Sequence, residues 1–316
     1  MDPKVSICIP AYKQITILRK VLDSVLMQSF GNYEVIISDD SPNGAVEILL
    51  REFDFQGRLR YSRNEIALGS PANWNYAISL ANGEYIKILH SDDFFTSAQS
   101  LAKYVELLDD NPEVDFAFSA TEILKLPSGN KELFSCSQKH LKRIQAEPEF
   151  LFFRNVIGAP SATIYRRNIN LEYDINLKWL VDVDFYMRIL YKNKSIAYSP
   201  EPLICISDGA EGQITQTVIN DKNVQVREHV ILYAKLNERK LTLKNNRFLL
   251  YFKLLFNKYN VRTMEELNTI IPMPLEQQSF YRKAIKSVNG GMVFTRILVK
   301  FNNSWLNKYI FKMEIF

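Results

Sequence analysis

The first third of the chain alternates short apolar runs with stretches whose apolar residues recur every three or four positions. Val5-Ser6-Ile7-Cys8-Ile9 reads as a buried strand ended by Pro10. Ile15, Leu18, Leu22, Val25 and Leu26 then share one helical face, closed by the turn Ser29-Phe30-Gly31-Asn32. Residues 33–37 predict a second strand, and 38–44 a turn cluster rich in Asp, Ser, Pro, Asn and Gly. A third strand is expected over 58–61, a helix over 71–81 and a fourth strand over 84–89. Leu101, Tyr104, Val105 and Leu108 mark another helix, and 114–119 a fifth strand. This alternation predicts an α/β fold whose mainly parallel sheet is covered on both faces by helices.

Beyond it, residues 127–140 are polar and read as a loop. Strands are expected over 161–165, 196–199 and 203–207, a helix over 179–191, and a loop over 208–213. From Asp221 onward helical spacing dominates, broken at Pro272-Met273-Pro274. The boundaries this gives are a catalytic-type domain over 1–220, with halves near 1–95 and 96–220, and a helical region over 221–316.

Charge changes that picture. The net charge is only +4, but from Lys222 onward there are 17 Lys and Arg against 6 Asp and Glu. An acidic front and a basic tail suggest two tasks. In the tail, Phe294, Ile297, Leu298, Phe301, Trp305 and Tyr309 repeat at helical spacing beside Arg296 and Lys300. Such a basic amphipathic helix over 290–316 either lies on an anionic membrane surface or packs its apolar stripe on the folded domain. No nucleic-acid-binding motif accompanies the charge. Cys8, Cys136 and Cys205 are odd in number and outside any metal-ligand spacing, so buried thiols in a reducing compartment are expected. Without a signal-peptide pattern or a run of about 18 apolar residues, the expected product is cytoplasmic.

Ligands of open parallel sheets bind at the carboxyl ends of the strands, and three of those ends carry chemistry here. After the fourth strand comes Leu89-His90-Ser91-Asp92-Asp93. The Asp92-Asp93 pair can ligate Mg²⁺ or Mn²⁺, which take one or two protein carboxylates and complete their shells with phosphate and water. Alternatively, one carboxylate caps a helix starting near Thr96. After the second strand, Asp39 and Asp40 can accept hydrogen bonds from a nucleobase or a ribose, or can shape the turn before Ser41-Pro42. In Val181-Asp182-Val183-Asp184-Phe185-Tyr186-Met187-Arg188, Asp184 and Arg188 are spaced to pair on a helix. Asp182 is either favoured there by the helix N-terminus or available as a general base.

Taken in order, these pieces resemble the family 2 inverting glycosyltransferases of the Rossmann-like GT-A fold. The resemblance runs over residues 4–210. It is carried by Val5-Ser6-Ile7-Cys8-Ile9-Pro10-Ala11-Tyr12, Tyr33-Glu34-Val35-Ile36-Ile37-Ser38-Asp39-Asp40-Ser41, Arg63-Asn64-Glu65, Asn73-Trp74-Asn75 and Gly83-Glu84-Tyr85-Ile86-Lys87-Ile88-Leu89-His90-Ser91-Asp92-Asp93. His90 stands where the family often has a further Asp, and Val181 where it has the first acid of a pair.

The resemblance implies that Asp93, with Asp92, holds Mg²⁺ or Mn²⁺ and the donor diphosphate. It implies that Pro10, Tyr12, Asp39, Asp40, Asn64 and Asn73 line the nucleoside pocket, and that Asp182 is the base. The implied donor is a nucleotide-diphosphate sugar of UDP or dTDP type. The implied acceptor is a lipid-linked or oligosaccharide glycan of surface-polysaccharide (O-antigen or capsule) assembly, reached from the cytoplasmic face of the inner membrane. A protein that binds nucleotide sugars without catalysis is the alternative, with His90 and Val181 in its favour. A sugar-nucleotide-forming nucleotidyltransferase would need a Gly-rich loop after the first strand, which this chain lacks.

Overall fold

The computed structural model describes residues 2–209, 213–238 and 245–289. The basic amphipathic stretch expected over 290–316 lies outside them. Two compact units divide the chain: residues 1–151 with 155–213, and residues 152–154 with 214 onward.

The first unit runs β1 (Val5–Ala11), α1 (Ile15–Leu26), β2 (Tyr33–Asp39), α2 (Ala45–Leu50), β3 (Leu59–Arg63), α3 (Ala72–Ser79) and β4 (Tyr85–Ile88). It continues with β5 (Asp93–Phe95), α4 (Ser100–Asp109), β6 (Phe116–Lys125), β7 (Lys131–Phe134), α5 (Gln138–Ala146), a short helix α6 (Phe150–Phe153) that straddles the division, β8 (Thr163–Arg166), α7 (Val181–Lys192) and β9 (Ala197–Asp208). The strands make one sheet in the order β3-β2-β1-β4-β8-β6-β9-β5, with β7 paired to β6. The first four are mutually parallel, as is the β6–β9 pair; β8, β5 and β7 run antiparallel to their neighbours. Every residue of β1, β2 and β4 is buried, which is why those strands read as continuous apolar runs. Helix α1 covers one face with Leu18, Val21, Leu22 and Val25, all fully buried. All three cysteines are free and buried, as expected.

Three local expectations are corrected. Residues 127–140 are not a loop: they complete a β6–β7 hairpin and open α5, whose Ser137 hydroxyl accepts from the His140 N–H. The exposed edge strand β7 has no apolar face to announce it, with Lys131, Glu132 and Leu133 all exposed. The two strands expected over 196–207 are one strand, β9, shifted in register against β6 near Ala120. The helix expected near Thr96 begins at Ser100, and Asp93 instead starts β5, opposite Ile206 of β9.

The described part of the second unit is helical: α8 (Ile214–Val218), α9 (Lys222–Glu238), α10 (Asn245–Lys258), α11 (Met264–Ile270) and α12 (Leu275–Asn289). Its core is aromatic, with Tyr233, Phe248, Phe252, Phe256 and Tyr281 buried together. Within it His229 is held by the Gln225 carbonyl through Nδ1 and by the Tyr251 hydroxyl through Nε2, each at 2.6 Å. Among the described residues no helix is long and apolar enough to cross a membrane.

Candidate active site

The sheet order reverses between β1 and β4: one path runs outward through β2 and β3, the other through β8. In open parallel sheets that reversal opens a crevice at the carboxyl ends of the strands. Tyr12 follows β1 on one side of it, and His90-Ser91-Asp92-Asp93 follows β4 on the other.

The β4 side is built by main-chain bonds. Leu89 N–H donates to the Cys8 carbonyl at 2.9 Å, and Asp93 N–H closes a turn onto the His90 carbonyl at 3.1 Å. His90 N–H donates to the Ser161 hydroxyl at 2.9 Å, tying the turn to the entry of β8. One ligand atom from each of His90, Asp92 and Asp93 falls within 4.8 Å of the others. The His90 ring lies 4.6 Å from the indole of Trp74, which meets Tyr173 edge-on at 5.2 Å; Tyr173 stacks on Phe185 at 4.1 Å. Asp92 accepts from the Gln213 amide at 2.8 Å.

Burial decides the charges here. It pushes Asp93 well above the usual carboxylate range, and the nearby Asp92 charge adds to this; a Ser161 hydrogen bond and Lys87 partly offset it. Burial likewise pushes His90 down to about 4, so the imidazole is neutral at pH 7. Lys87, fully buried in the middle of β4, is held by the carbonyls of Ser161 and Thr163 and lies 4.4 Å over the Tyr104 ring. Burial lowers its pKa, and Asp93 works against that.

On the β1–β2 side, Tyr12 is half exposed while Pro10 is buried in β1. Asp39 is fully buried and accepts from the Ser41 N–H at 2.8 Å and the Tyr61 hydroxyl at 2.9 Å. Asp40 gathers the following loop: Oδ1 accepts from Asn64 Nδ2 at 2.7 Å and Leu68 N–H at 3.0 Å, Oδ2 from Gly69 N–H at 2.8 Å. Asn73 is buried, bonded to the Ser38 hydroxyl and donating to the Ser38 carbonyl at 3.0 Å, and Asn64 donates to Asn73 at 3.1 Å. Asp39, Asp40, Asn64 and Asn73 are thus joined at the β2 exit, where Asn64 N–H also donates to the Asp39 carbonyl at 2.8 Å.

Asp182 lies in the first turn of α7. Its Oδ2 accepts from Asn155 Nδ2 at 2.8 Å and its Oδ1 from the Val183 N–H at 2.8 Å. Asn155 in turn accepts from the N–H groups of Ile157 and Gly158, each at 3.0 Å. Asp184 is buried and pairs with Arg188 at 2.8 Å, as the four-residue spacing predicts.

Sequence reading does not single out Asn155, Ser161, Lys87 or Gln213. Only Lys87 carried a signal, a lysine inside an otherwise apolar buried strand. The donor set fits a divalent cation: two carboxylates and an imidazole, with one ligand atom of each within 4.8 Å of the others.

The sheet with its strand-order reversal is shared with glycosyltransferases of known structure. S. aureus TarS, solved with UDP-GlcNAc, has the same fold with a TM-score of 0.56 at 18% identity, over 89% of this chain and 79% of that one. The mannosyltransferase PcManGT of Pyrobaculum calidifontis, solved with GDP-Man and Mn²⁺, gives 0.54 at 14%, over 97% and 81%. The glycosyl transferase family 2 model matches residues 6–173, and the chain belongs to that family. Among its relatives, an uncharacterised protein of Mycobacterium tuberculosis is 25% identical over 250 residues, 73% of this chain and 75% of its own. An uncharacterised glycosyltransferase of Methanocaldococcus jannaschii is 26% identical over 192 residues, 60% of this chain and 65% of its own.

Proposed function

We propose that this glycosyltransferase inverts the anomeric centre while moving a sugar from a nucleotide-diphosphate donor to a hydroxyl of a glycan acceptor. The donor is of UDP or dTDP type, and the acceptor is lipid-linked, in surface-polysaccharide assembly. One observation carries the reading: His90, Asp92 and Asp93 converge at the end of β4, where the strand order reverses. In this reading the residues behind Tyr12 keep the nucleoside side of the cleft rigid. Asp93 and Asp92 hold Mg²⁺ or Mn²⁺, which when bound neutralises charge on the leaving diphosphate. Asp182 takes the proton of the acceptor hydroxyl, whose oxygen bonds to the anomeric carbon as the bond to the diphosphate breaks on the opposite face. Asn155 fixes the rotamer that Asp182 presents.

Thermal unfolding with UDP, dTDP and GDP, each with and without Mn²⁺, tests the donor half. A ligand at 100 times its Kd adds about 2.7 kcal/mol of stability. The expected result is Mn²⁺-dependent stabilisation by one nucleotide that Asp93→Ala abolishes; no stabilisation by any of them would overturn the reading. Asp182→Asn is expected to keep that binding and to lower turnover about 10²- to 10⁴-fold. Near-normal turnover would leave Asp182 a structural residue of α7.

A further inference from the structure

We infer that His90 is a third, nitrogen ligand to the divalent ion, and that it turns the site's preference from Mg²⁺ towards the later first-row metals. The inference rests on the reading that Asp92 and Asp93 hold an ion. Its own support is the geometry of the ring. His90 Nδ1 lies 3.8 Å from Asp93 Oδ2, beyond hydrogen-bond distance. Two donors sharing one octahedral ion at about 2.1 Å each are about 3.0 Å apart when cis, so a shift of under about 1 Å in these side chains brings both onto one cation. His90 Nε2 is buried with no partner.

Neither neutral tautomer is satisfied by the protein alone. With the proton on Nε2, that N–H is buried without an acceptor and the Nδ1 lone pair is turned to Asp93 with no protein donor to meet it. With the proton on Nδ1, the N–H falls short of Asp93 and the Nε2 lone pair is orphaned. A cation between Nδ1 and Asp93 gives the Nδ1 lone pair a partner and selects the tautomer with the proton on Nε2. The residue is also held in place beforehand, its ring tilted against Trp74 and its main-chain N–H bonded to the Ser161 hydroxyl. Pairing of β5 with β9 fixes Asp93 in the same way.

The chemical consequence follows from ligand type. Carboxylate and water suit Mg²⁺, whereas imidazole suits the later first-row ions, whose affinities rise from Mn²⁺ through Co²⁺ to Ni²⁺. An imidazole in place of a third carboxylate therefore gains affinity for Co²⁺ and gains none for Mg²⁺.

The test uses the metals alone on the full chain. Calorimetry with Co²⁺ and Mg²⁺ is run on the wild type, His90→Ala, His90→Asp and Asp93→Asn, and pulsed EPR of bound Mn²⁺ looks for ¹⁴N modulation. The expected result is ¹⁴N modulation in the wild type, and a loss of Co²⁺ affinity of about 10- to 100-fold in His90→Ala with Mg²⁺ affinity little changed. His90→Asp should reverse the preference. The inference falls if ¹⁴N modulation is absent, or if His90→Ala weakens both ions alike, while Asp93→Asn still abolishes binding; the carboxylate site then survives without His90. If neither ion binds the wild type, the carboxylate site and the inference fall together. The EPR readout needs no variant, so a His90 substitution that misfolds does not blunt the test.

Discussion

Asp40→Asn separates a residue that recognises a nucleobase from one that builds the cleft. The substitution keeps the shape of the side chain and replaces one carboxylate oxygen with an NH₂ group. All three protein groups around the Asp40 carboxylate are donors: Asn64 Nδ2, Leu68 N–H and Gly69 N–H, at 2.7–3.0 Å. Whichever way the new amide turns, its NH₂ faces at least one donor. The less costly orientation puts it against Gly69 alone. Asp40 is 5% exposed, so water cannot readily replace the lost bond. Leaving a buried donor unpaired costs about 1–3 kcal/mol. At 1.4 kcal/mol per factor of ten, that is about 5- to 150-fold in the equilibrium for opening the loop over 64–69. Amide hydrogen exchange at Leu68 and Gly69 reads this directly in the ligand-free protein, and urea unfolding gives the global value. Faster exchange at those two amides is expected before any nucleotide is added. Unchanged exchange, with a loss of nucleotide affinity only, would refute the structural role and return Asp40 to direct base recognition.

Gly83→Ala should cost at least about 2 kcal/mol in urea unfolding, because its Cβ would sit 2.5 Å from the Ser6 nitrogen and 2.8 Å from the Val5 carbonyl carbon, both backbone; a loss under about 0.5 kcal/mol would contradict the packing of the β4 entry. His229 is pushed down to about 4 by burial, from an ordinary value of 6.5. Its folded pKa lies below its unfolded one, so its contribution is intact above about pH 6.5 and lost as pH falls towards 4, about 3 kcal/mol in all. Unfolding measured from pH 7 to 4 should lose more stability in the wild type than in His229→Gln, and parallel curves would show that His229 titrates normally. Asn155→Ala removes one donor to Asp182 and should lower turnover, measured as nucleotide-sugar hydrolysis, with nucleotide binding kept; an unchanged rate would mean that Asn155 serves only the turn over 155–158.

How much of this was legible depends on the range over which each feature is encoded. Strands β1, β2 and β4 were readable because burial on both faces leaves an unbroken apolar run in the sequence. β7 was not, because an exposed edge strand is specified by its partner and carries no pattern of its own. β5 was not, because three residues are too few to show a period and its pairing comes from β9, more than a hundred positions later. Asp92 and Asp93 were legible as a pair because they are adjacent. The contacts that give them their character come from Ser161 and Gln213, brought in by the fold alone.

His90 shows where local reading stops being informative and chemistry takes over. In the sequence it is only a departure, an imidazole where a carboxylate is usual, and it favours a protein that binds nucleotide sugars without catalysis. In the structure its ring is wedged against Trp74 with Nδ1 turned to Asp93 and Nε2 sealed from any partner. A histidine that merely filled space in the core would have both nitrogens satisfied, as His229 does through Gln225 and Tyr251. The satisfied histidine is architecture. The unsatisfied one, beside two carboxylates at the strand-order reversal, has a lone pair that the protein itself does not use.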